Sequence, residues 1–512
     1  MMDAALHGLS GIAFAYAAVQ VSMIAALIRA RATFQQYAIA PLAALPLTAV
    51  AAAGSALFAP PGIAHAFLAV GASALLGYAG GEVLAHDAVA DKVHRRGAHI
   101  AERAPRRAAE SNAGVSLAGL RVPAADETKH FKLIGSTGTG KTTAIRELLG
   151  SAIARGDRAV FADPDAGYLD DFYDRYRGDI ILNPFESQSV KWDLFAEIES
   201  SFDVDQLVSG LIPNCDDPSA QEWRGYARTF LAAVIRRCHF SGASDAGNLW
   251  RLLMVASADE LRPIVAGTPA QPFLDPDNAR MFGSIRSVAG SAMAAFEYIQ
   301  NQRATLFSVR EWVRNRTYPS MLFIPYRANQ IAALRSMIAT WMHLAIFETM
   351  SQRQAHDQRL WFVVDELDAL GAIDGLKDAL ARLRKFGGRC VLGFQAVAQV
   401  SSTYGQGEAQ TIIENCGNTL ILRCSSSENG GTSQFASRLI GEREVLRRQI
   451  SRGKDRESGF FSRGARQSRS VTEQHVTETA VMASELEQLP DLRGYLKTAS
   501  SATWWRVNLT RP

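Results

Sequence analysis

Eight residues, Gly135 to Thr142, constrain the fold of this chain more than any other segment. They read GSTGTGKT, which fits the pattern GxxxxGK[ST], and they lie between a predicted strand, Phe131 to Ile134, and a predicted helix that begins near Thr143. In this context the glycines let backbone N–H groups surround phosphates, the lysine reaches the β- and γ-phosphate oxygens, and the threonine hydroxyl binds Mg²⁺. The predicted nucleotide-binding residues are Gly135, Ser136, Thr137, Gly138, Thr139, Gly140, Lys141, Thr142 and Thr143.

A second motif follows another predicted strand. Leu360 to Val364 is apolar, and the next two residues are Asp365 and Glu366, as in a Walker B motif. Adjacent side chains at the end of a strand point in different directions, so Asp365 can bind Mg²⁺ together with Thr142 while Glu366 faces an attacking water as general base. The alternative is a strand whose end is capped by an aspartate that starts a helix. In combination with Lys141, the pair predicts hydrolysis of ATP at a magnesium site.

Two further residues complete the candidate catalytic set. Gln395 ends a third predicted strand, Arg389 to Phe394, and is expected at the same carboxyl edge of the sheet. It is predicted to sense the γ-phosphate or to orient water, and a surface glutamine that starts a helix is the alternative. Arg384 precedes that strand, close to the edge where the nucleotide is expected, and is predicted to reach the γ-phosphate bound by a neighbouring subunit. A solvated basic helix face is the other interpretation of Arg384.

The alternation of short apolar runs with amphipathic stretches predicts an α/β fold with a mostly parallel, doubly wound sheet. The predicted strands are Phe131–Ile134, Ala159–Ala162, Ile180–Leu182, Met321–Ile324, Trp361–Val364, Cys390–Phe394, Thr419–Leu422 and Trp504–Leu509. Between about 195 and 300, helical periodicity replaces the strand pattern, which indicates an all-helical insertion. The segment from Gly441 to Gln474 is rich in Arg, Ser and Gly and is expected to be a long flexible loop.

The first hundred residues contain three uncharged runs, each about as long as the apolar core of a bilayer. The candidate spans are 9–28, 37–58 and 63–81. Cations follow the first and third runs, at Arg29, Arg31, Lys92, Arg95 and Arg96. Because lysine and arginine are enriched in cytoplasmic loops, the segments after the first and third runs are both expected in the cytoplasm. Three spans with the N-terminus outside satisfy this condition and place the turn Pro60-Pro61-Gly62 outside. In a two-span alternative the run at 63–81 packs against other helices through Gly71, Gly77 and Gly80.

Composition narrows the possible classes. The chain has 512 residues, 47% of them hydrophobic, which exceeds the usual size of one domain and predicts two or three folded units. A net charge of +3 is too small for a protein that coats nucleic acid, so contacts with phosphates would come from local clusters. The five cysteines form no CxxC pair, which argues against a zinc site or a disulfide framework.

Local basic clusters are the candidate DNA contacts. In the helical insertion they are Arg224, Arg228, Arg236 and Arg237. In the expected loop they are Arg447, Arg448, Arg452, Lys454, Arg456, Arg463, Arg466 and Arg469, with Phe460 and Phe461 available for stacking. A solvated, disordered loop is the alternative. Two Asx-Pro steps, Asp163-Pro164 and Asn183-Pro184, follow predicted strands and are interpreted as turn formers.

Taken in order, these motifs make the chain resemble a type IV secretion system coupling protein, the inner-membrane ATPase of bacterial conjugation of the TraD/TrwB kind. The motifs extend over nearly all of the sequence that follows the apolar runs. They are GSTGTGKTT at 135–143, DIILNPF at 179–185, WRGYART at 223–229, WFVVDELDALG at 361–371, GFQAVAQV at 393–400 and ELEQLPDLRGYL at 485–496. GxxxxGKT alone is unspecific, whereas this combination in this order is specific.

The resemblance implies a RecA-like nucleotide-binding domain with an inserted all-α domain, ATP and Mg²⁺ as ligands, a hexameric ring, and recruitment of a relaxase–DNA complex to a secretion channel. It assigns roles to Lys141 and Thr142 in the P-loop, Asp365 and Glu366 in Walker B, Gln395 in a third motif, and Arg384 as the arginine that acts in trans. The expected domains are a transmembrane anchor at 1–82, a stalk and linker at 83–128, the RecA-like domain at 129–194 and 301–512, and the inserted domain at 195–300.

Two features depart from the family pattern. Members commonly have two spans with a periplasmic loop, whereas this chain shows three apolar runs with short connections. No long acidic tail precedes Pro512, so docking of a relaxosome through such a tail is not expected.

The expected function is an ATP-driven motor that moves single-stranded DNA and its attached protein across the inner membrane, with the ATPase domain in the cytoplasm. One alternative is a chromosome translocase of the FtsK or HerA type, although the DNA-reading module usual in FtsK-like chains is not visible. The other is a membrane receptor that uses ATP as a conformational switch without pumping, since a switch and a motor need the same phosphate-binding residues.

Overall fold

The computed structural model of the protein describes residues 2–30, 32, 34–58, 63–85, 93–102, 114–215, 217–242, 244–353, 358–427, 430–455 and 466–510. Several residues discussed above lie outside this set: the turn at 60–62, Arg31, Lys92, Arg456, Phe460, Phe461, Arg463 and the part of the expected linker from 103 to 113. The chain separates into two compact units, Met1–Gly97 with Glu442–Glu478 and Ala98–Gly441 with Thr479–Pro512.

Strands and helices alternate through most of the chain. Strands β1 to β17 span, in order, Val93–Gly97, His99–Ala101, Val115–Leu117, Leu120–Val122, Phe131–Ile134, Arg158–Pro164, Ile180–Ile181, Lys191–Trp192, Leu306–Phe307, Leu322–Tyr326, Leu360–Val364, Gly388–Phe394, Asn418–Ile421, Glu442–Asp455, Arg466–Thr479, Arg493–Lys497 and Thr503–Asn508. Helices α1 to α19 span Met2–Arg29, Phe34–Phe58, Ile63–Leu84, Ala124–Glu127, Lys141–Ala154, Gly167–Phe172, Ser201–Leu211, Pro218–Phe240, Ala246–Met254, Ala258–Val265, Ala279–Ala292, Phe296–Asn301, Val309–Arg314, Ile331–Ser351, Leu376–Leu383, Val397–Tyr404, Gln406–Glu414, Gly431–Ile440 and Ala483–Glu487.

Three long apolar helices dominate the first unit. α1, α2 and α3 each contain a stretch of 18 to 20 residues that is long and apolar enough to cross a membrane. These stretches are Ile12–Arg29, Phe34–Ala53 and Phe67–Leu84. Large apolar side chains such as Phe14 and Leu75 are exposed on them, as expected of surfaces that face lipid rather than water. The structure thus has a helix of spanning length for each of the three apolar runs.

Small residues bring the apolar helices close together. Gly77 of α3 lies so near α1 that an added Cβ would meet Ser22 Oγ at 2.2 Å, and a Cβ at Gly80 would lie 2.5 Å from Leu47 of α2. Small residues have this role between apolar helices because they allow the backbones to approach. Gly71, predicted to act in the same way, has no described neighbour within 4 Å of an added Cβ. Gly77 and Gly80 therefore serve in helix packing, whereas the described residues show no such contact for Gly71.

In the described parts of the segment from 441 to 474, strands replace the flexible loop that the composition suggested. These parts contribute to the long strands β14 and β15, which form a three-stranded sheet with β1 in the order β1-β14-β15. β1 pairs with β14 in antiparallel register, with Val93 opposite Leu446. Residues 442–478, expected within the nucleotide-binding domain, accordingly belong to the same compact unit as the apolar helices.

Opposite charges explain how so polar a segment forms strands. Arg443 donates to Glu478 at 3.0 Å across β14 and β15, and His475 Nδ1 lies 2.6 Å from Glu444 Oε1. Cross-strand pairs of opposite charge stabilise a sheet in place of apolar contacts. Among the described side chains, Arg443 and Arg447 are therefore paired with Glu478 across the strands, which composition alone does not predict.

A ten-stranded sheet forms the centre of the second unit, in the order β2-β17-β16-β13-β5-β12-β11-β6-β10-β7. The strands from β13 to β7 run parallel, whereas β16 pairs antiparallel with β13 and β17 pairs antiparallel with β16. Alternate residues of β11 contribute to two separate cores: Phe362 and Val364 to one, Trp361 and Val363 to the other. The central strands are therefore buried on both faces, as in doubly wound folds.

The strands predicted from the apolar runs are all present, with bounds that differ by no more than two residues. The late strand predicted at Trp504–Leu509 is β17. β16, Arg493–Lys497, is not among the predicted strands, although its residues belong to the last of the family motifs. The prediction of an α/β fold with a mostly parallel sheet is confirmed.

The region between α7 and α12 contains helices and their connections, without a described strand, in agreement with the predicted insertion at about 195–300. The short strands β8 and β9 pair in parallel and hold its two ends side by side. Glu197 reinforces this junction, because its buried carboxylate accepts from Trp192 Nε1 at 3.0 Å and from the N–H groups of Val309 and Arg310 at 2.7 and 3.0 Å. The helical region is thus joined to the sheet without interrupting it.

Candidate nucleotide-binding site

Three sequence motifs meet at the carboxyl edge of the large sheet. β12 lies between β5 and β11, and all three strands are parallel, with Phe394 opposite Ile134. Gly135, Asp365 and Gln395 each follow the last residue of one of these strands. The carboxyl ends of parallel strands in open α/β sheets are where ligands bind. The sheet order therefore brings together motifs that lie far apart in the sequence.

The loop after β5 turns sharply onto α5. Gly138 and Gly140 have φ values of 76° and 115°, in the left-handed region that favours glycine. Gly140 also has no room for a side chain, since an added Cβ would lie 2.8 Å from Leu492 Cδ2. Thr139 fixes the loop on both sides: its Oγ1 donates to Ser136 O at 2.8 Å, and its carbonyl accepts from Leu492 N–H at 2.9 Å. The loop is thereby held at the N-terminus of α5, an arrangement suited to phosphate.

Lys141, the first residue of α5, folds back onto the loop. Its Nζ donates to Gly135 O at 2.7 Å and to Ser136 O at 3.2 Å. Burial lowers the pKa of its ammonium, while the charges of Asp365 and Glu366 act in the opposite direction. A cation held among the loop carbonyls is placed where this motif meets phosphate oxygens.

The other predicted nucleotide-binding residues lie in the same loop or in the first turn of α5. Ser136 Oγ lies 2.8 Å from Ser425 Oγ, in the segment after β13. Gly135 has no space for a Cβ, which would lie 2.9 Å from Leu422 Cβ. Thr143 lies in the first turn of α5 and is half-buried. Gly135 to Thr143 thus forms one loop and helix start, with Lys141 inside it.

Asp365 connects β11 to the start of α5. Its Oδ2 accepts a hydrogen bond from Thr142 Oγ1 at 2.7 Å. Its Oδ1 is buried and has no hydrogen-bond partner among the described residues. A hydroxyl and a carboxylate with a buried oxygen still to be satisfied fit Mg²⁺, a hard cation that prefers oxygen ligands. Thr142 and Asp365 are therefore the side chains in this site suited to hold that ion.

Glu366 is linked to the phosphate loop through Gln395. Gln395 Nε2 donates to Glu366 Oε1 at 3.0 Å, and Thr137 Oγ1 donates to Gln395 Oε1 at 2.8 Å. Burial raises the pKa of Glu366, and the charge of Asp365 adds to the rise, whereas the hydrogen bond from Gln395 opposes it. The two hydrogen bonds hold the candidate base in one orientation beside the loop.

Arg384 does not lie at this edge. It follows α15 and precedes β12, which begins at Gly388 and ends at Phe394. Because Gln395 follows the other end of that strand, Arg384 lies at the amino edge, about 20 Å away at the usual rise of a strand. The prediction that Arg384 lies close to the nucleotide edge is thus wrong within one subunit, since strand direction decides the edge. Its side chain is exposed and could reach a nucleotide only in a neighbouring molecule.

Asp163 and Asn183, both followed by proline and both predicted to form turns, differ in the structure. Asn183 Oδ1 accepts from Phe185 N–H at 2.8 Å, which is the expected Asx turn. Asp163 lies within β6, and its carboxylate accepts from the N–H groups of Tyr168 and Leu169 at 3.0 and 2.8 Å. Burial raises the pKa of Asp163 to about 7, although these two donors act against the rise. Asp163 therefore lies at the carboxyl edge of the sheet, on the strand next to β11, and is more than a turn former.

Tyr168 is a site residue that no sequence motif indicates. Its hydroxyl donates to Asp365 Oδ2 at 2.8 Å, the oxygen that also accepts from Thr142. β6, which precedes Tyr168, lies directly beside β11, which precedes Asp365. Only the order of strands in the sheet brings Tyr168 and Asp365 together, and no local sequence pattern predicts that order.

Three of the four arginines predicted as DNA contacts in the helical insertion have partners within the protein. Arg224 and Arg228 donate to carbonyl oxygens in the turn after α7, at 2.7 and 2.6 Å, and Arg236 pairs with an aspartate of α7. Arg237 is exposed. In β14, Arg447 is paired with a glutamate of β15 at 2.9 Å, and the side chains from 448 to 472 lie outside the described structure.

The sheet and its carboxyl edge define a P-loop nucleotide-binding protein with a RecA-like fold and an inserted all-α region. A sequence model described as the DNA-binding domain of type IV secretion-system coupling proteins matches residues 114–510. The chain belongs to this family.

Solved structures of the plasmid coupling protein TrwB are similar to the chain. The unbound bacterial conjugative coupling protein TrwBdeltaN70 superposes with a TM-score of 0.72 and 29% identity, over 83% of this chain and 94% of that one. TrwB in complex with the non-hydrolysable ATP analogue ADPNP gives a TM-score of 0.71 and 28% identity, over 82% of this chain and 95% of that one. TrwB in complex with ADP and Mg²⁺ gives the same TM-score and identity.

A curated relative is the coupling protein TraD of Escherichia coli strain K12. It is 29% identical over 391 residues, which cover 75% of this chain and 52% of TraD. The chain thus spans about half the length of that relative.

Proposed function

We propose that the protein is an inner-membrane ATPase that couples a relaxase–DNA complex to a type IV secretion channel and drives single-stranded DNA into it. The observation that carries the proposal is the hydrogen-bonded series Thr137, Gln395, Glu366, which fixes a candidate base beside the phosphate loop. Family membership supports the coupling role, and the nucleotide complexes of TrwB support nucleotide binding.

ATP and Mg²⁺ are the proposed ligands of the site. The loop Gly135–Gly140 and the ammonium of Lys141 would bind the phosphates, and Thr142 and Asp365 would hold Mg²⁺. When bound, the ion neutralises charge on the phosphates and on the departing group. The buried, unpartnered Oδ1 of Asp365 supports this assignment.

Glu366 is the proposed general base and Gln395 its partner. A carboxylate in this position can accept a proton from the attacking water, provided that it is ionised and oriented. Gln395 contacts both Thr137 and Glu366, so a movement of the phosphate loop reaches the base through one side chain. The same side chain can therefore orient water and report the presence of a γ-phosphate.

The motor is proposed to work as a homo-hexameric ring. In a head-to-tail ring, one edge of each subunit meets a different edge of the next, so a residue far from its own nucleotide can lie close to its neighbour's. Arg384, exposed at the amino edge of the sheet, suits that position. Its guanidinium would stabilise charge on the γ-phosphate in the transition state.

The three apolar helices are the proposed inner-membrane anchor. Their lengths and composition support three spans. The cations that follow the first and third runs support an N-terminus outside and an ATPase domain in the cytoplasm. The proposed domains are the anchor at 1–82, the stalk and linker at 83–128, the RecA-like domain at 129–194 and 301–512, and the all-α domain at 195–300. Within the range of the third of these, strands β14 and β15 belong to the first compact unit.

Stimulation of ATP hydrolysis by DNA tests the proposed function. Full-length protein in detergent or nanodiscs should hydrolyse ATP slowly alone and at least tenfold faster with single-stranded DNA. Double-stranded DNA of equal nucleotide concentration is the control. Stimulation by duplex alone would indicate a chromosome translocase, and tight ATP binding without DNA-dependent turnover would indicate an ATP-switched receptor. Either result would contradict the proposal.

A further inference from the structure

We propose that Tyr168 is a positioning residue that holds the Asp365 carboxylate in the orientation needed to bind Mg²⁺ with the nucleotide. The inference rests on the proposed function, since it concerns how the same site retains its metal ion. Tyr168 lies outside the sequence motifs of the P-loop and Walker B, and its contribution comes from the strand next to the acidic pair.

Asp365 uses one oxygen for two hydrogen bonds. Oδ2 accepts from Thr142 Oγ1 at 2.7 Å and from the Tyr168 hydroxyl at 2.8 Å. Oδ1 is left without a partner among the described residues and lies against β12, where an added Cβ at Gly393 would meet it at 2.9 Å. Thr142 and Tyr168 thus both hold the carboxylate by Oδ2. Oδ1 stays free to bind the ion or a water on it, because Gly393 has no side chain to fill the space beside it.

Thr142 and Tyr168 have different roles in this arrangement. Thr142 is itself a proposed Mg²⁺ ligand, so its contact with Asp365 belongs to the metal site. Tyr168 has no such role, and its hydroxyl is the contact that fixes the carboxylate from outside. Partners that orient a metal ligand commonly affect metal affinity by about 10- to 100-fold.

The Tyr168 ring is fixed before any ligand binds. It packs on Phe161 with ring centroids 5.7 Å apart, and Phe161 stacks on Phe323 at 4.7 Å. The side chain is buried, with 1% of its surface exposed. These aromatic contacts between β6, β10 and α6 leave the hydroxyl little freedom, so the donor points to Asp365 without a loss of entropy on binding.

The backbone before Tyr168 is fixed by Asp163. Its two oxygens accept from the N–H groups of Tyr168 and Leu169 at 3.0 and 2.8 Å. Asp165 and Ala166 have φ values of 55° and 59°, which residues with a Cβ rarely adopt, so this turn persists only where its surroundings determine it. The hydrogen bonds to the Asp163 carboxylate stabilise this turn and so place Tyr168 at the site.

Substitution of Tyr168 by phenylalanine isolates the hydroxyl. The ring contacts with Phe161 remain, and only the hydrogen bond to Asp365 is lost. Tyr173→Phe is the matched control, because Tyr173 lies in the same segment and packs edge-on against Phe323 at 6.2 Å, without a described hydrogen bond from its hydroxyl.

The experiment measures binding of a fluorescent ADP analogue to the full-length protein in detergent, in EDTA and across a Mg²⁺ titration. Tyr168→Phe should bind the analogue in EDTA as the wild type does, and should need about tenfold more Mg²⁺ to reach the tighter complex. Asp163→Asn, which weakens the turn at a residue with no described hydrogen bond to Asp365, should shift the Mg²⁺ midpoint in the same direction. Tyr173→Phe should titrate like the wild type.

The outcomes separate this inference from the proposed function. A Tyr168→Phe protein with an unchanged Mg²⁺ midpoint, or with equal loss of affinity in EDTA and in Mg²⁺, would overturn the positioning role. A wild-type protein that does not bind the analogue under any condition would instead overturn the proposed function.

Discussion

Gln395 Nε2 donates a hydrogen bond to Glu366 Oε1 at 3.0 Å, and so joins the residue after β12 to the residue that ends the Walker B motif. A glutamine placed between the phosphate loop and the base can transmit the state of one to the other. Loss of this contact should therefore affect turnover more than binding.

Gln395→Ala should lower DNA-stimulated ATP turnover by about 100-fold, the scale of losing one oriented donor, and leave nucleotide affinity within about twofold of the wild type. Steady-state hydrolysis and binding of a fluorescent nucleotide measure the two quantities. Gln399→Ala, at an exposed position of α16, is the control and should behave as the wild type. A large loss of affinity in Gln395→Ala would show that the glutamine serves binding instead.

Arg384→Ala should bind ATP almost normally and lose DNA-stimulated turnover by about 10³-fold or more, if the arginine acts on the neighbour's nucleotide. Lys385→Ala, which removes the adjacent exposed cation, is the matched control and should retain activity. An equal loss of DNA-stimulated turnover in both variants would indicate that turnover depends on the positive charge of this surface and not on Arg384 itself.

Mixed rings decide whether Arg384 acts in trans. Subunits with Arg384→Ala keep their base, and subunits with Glu366→Gln keep their arginine, so some interfaces in a mixed ring contain an intact pair. Mixing two inactive variants should therefore restore part of the activity. Mixtures that demonstrably co-assemble and stay inactive would leave Arg384 as a solvated helix residue.

His130 should make the stability of the protein pH-dependent. Its Nδ1 accepts from Cys390 N–H at 3.1 Å and its Nε2 donates to Leu380 O at 2.9 Å, so the ring is neutral in the folded state. Burial lowers the pKa of His130 to about 4, from an ordinary value near 6.5. A histidine with a lowered folded pKa contributes stability that is present above pH 6.5 and is lost as the pH falls towards 4.

The expected loss from His130 is about 2 kcal/mol at pH 5 and about 3 kcal/mol at pH 4. His130→Asn should be less stable at pH 7 but should lose about 2 kcal/mol less than the wild type between pH 7 and pH 5. Asparagine is chosen because His130 has a φ of 56°, which asparagine tolerates. Urea unfolding of both proteins in one detergent measures the difference, and an identical pH dependence would contradict the assignment.

Local sequence predicted the parts of the site that depend on local structure. The P-loop needs a strand, a glycine-rich turn and a helix in succession, and the segment from Phe131 to Ala154 contains all three. Asp365, Glu366 and Gln395 could be placed at one edge because each follows an apolar strand, and carboxyl ends of parallel strands meet.

What sequence could not supply depends on strand order and direction. Tyr168 reaches Asp365 only because β6 lies beside β11, and Arg384 lies at the far edge because β12 runs from Gly388 to Phe394. Strands β14 and β15 escaped prediction because described charged side chains such as Arg443 and Glu478 pair across them. In the same way, Arg228, a predicted DNA contact, donates to a backbone carbonyl.

The central claim is that the site hydrolyses ATP with Glu366 as base, and one paired measurement tests it most directly. ATP turnover in the presence of single-stranded DNA and nucleotide affinity are measured together for the wild type, Glu366→Gln and Lys141→Ala. Glu366→Gln should bind ATP as tightly as the wild type and lose turnover by at least about 100-fold, because it keeps the shape of the side chain and removes the base. Lys141→Ala should lose binding, since it removes the cation that meets the phosphates. Equal loss of ATP affinity in both variants, or turnover in Glu366→Gln close to that of the wild type, would contradict the claim.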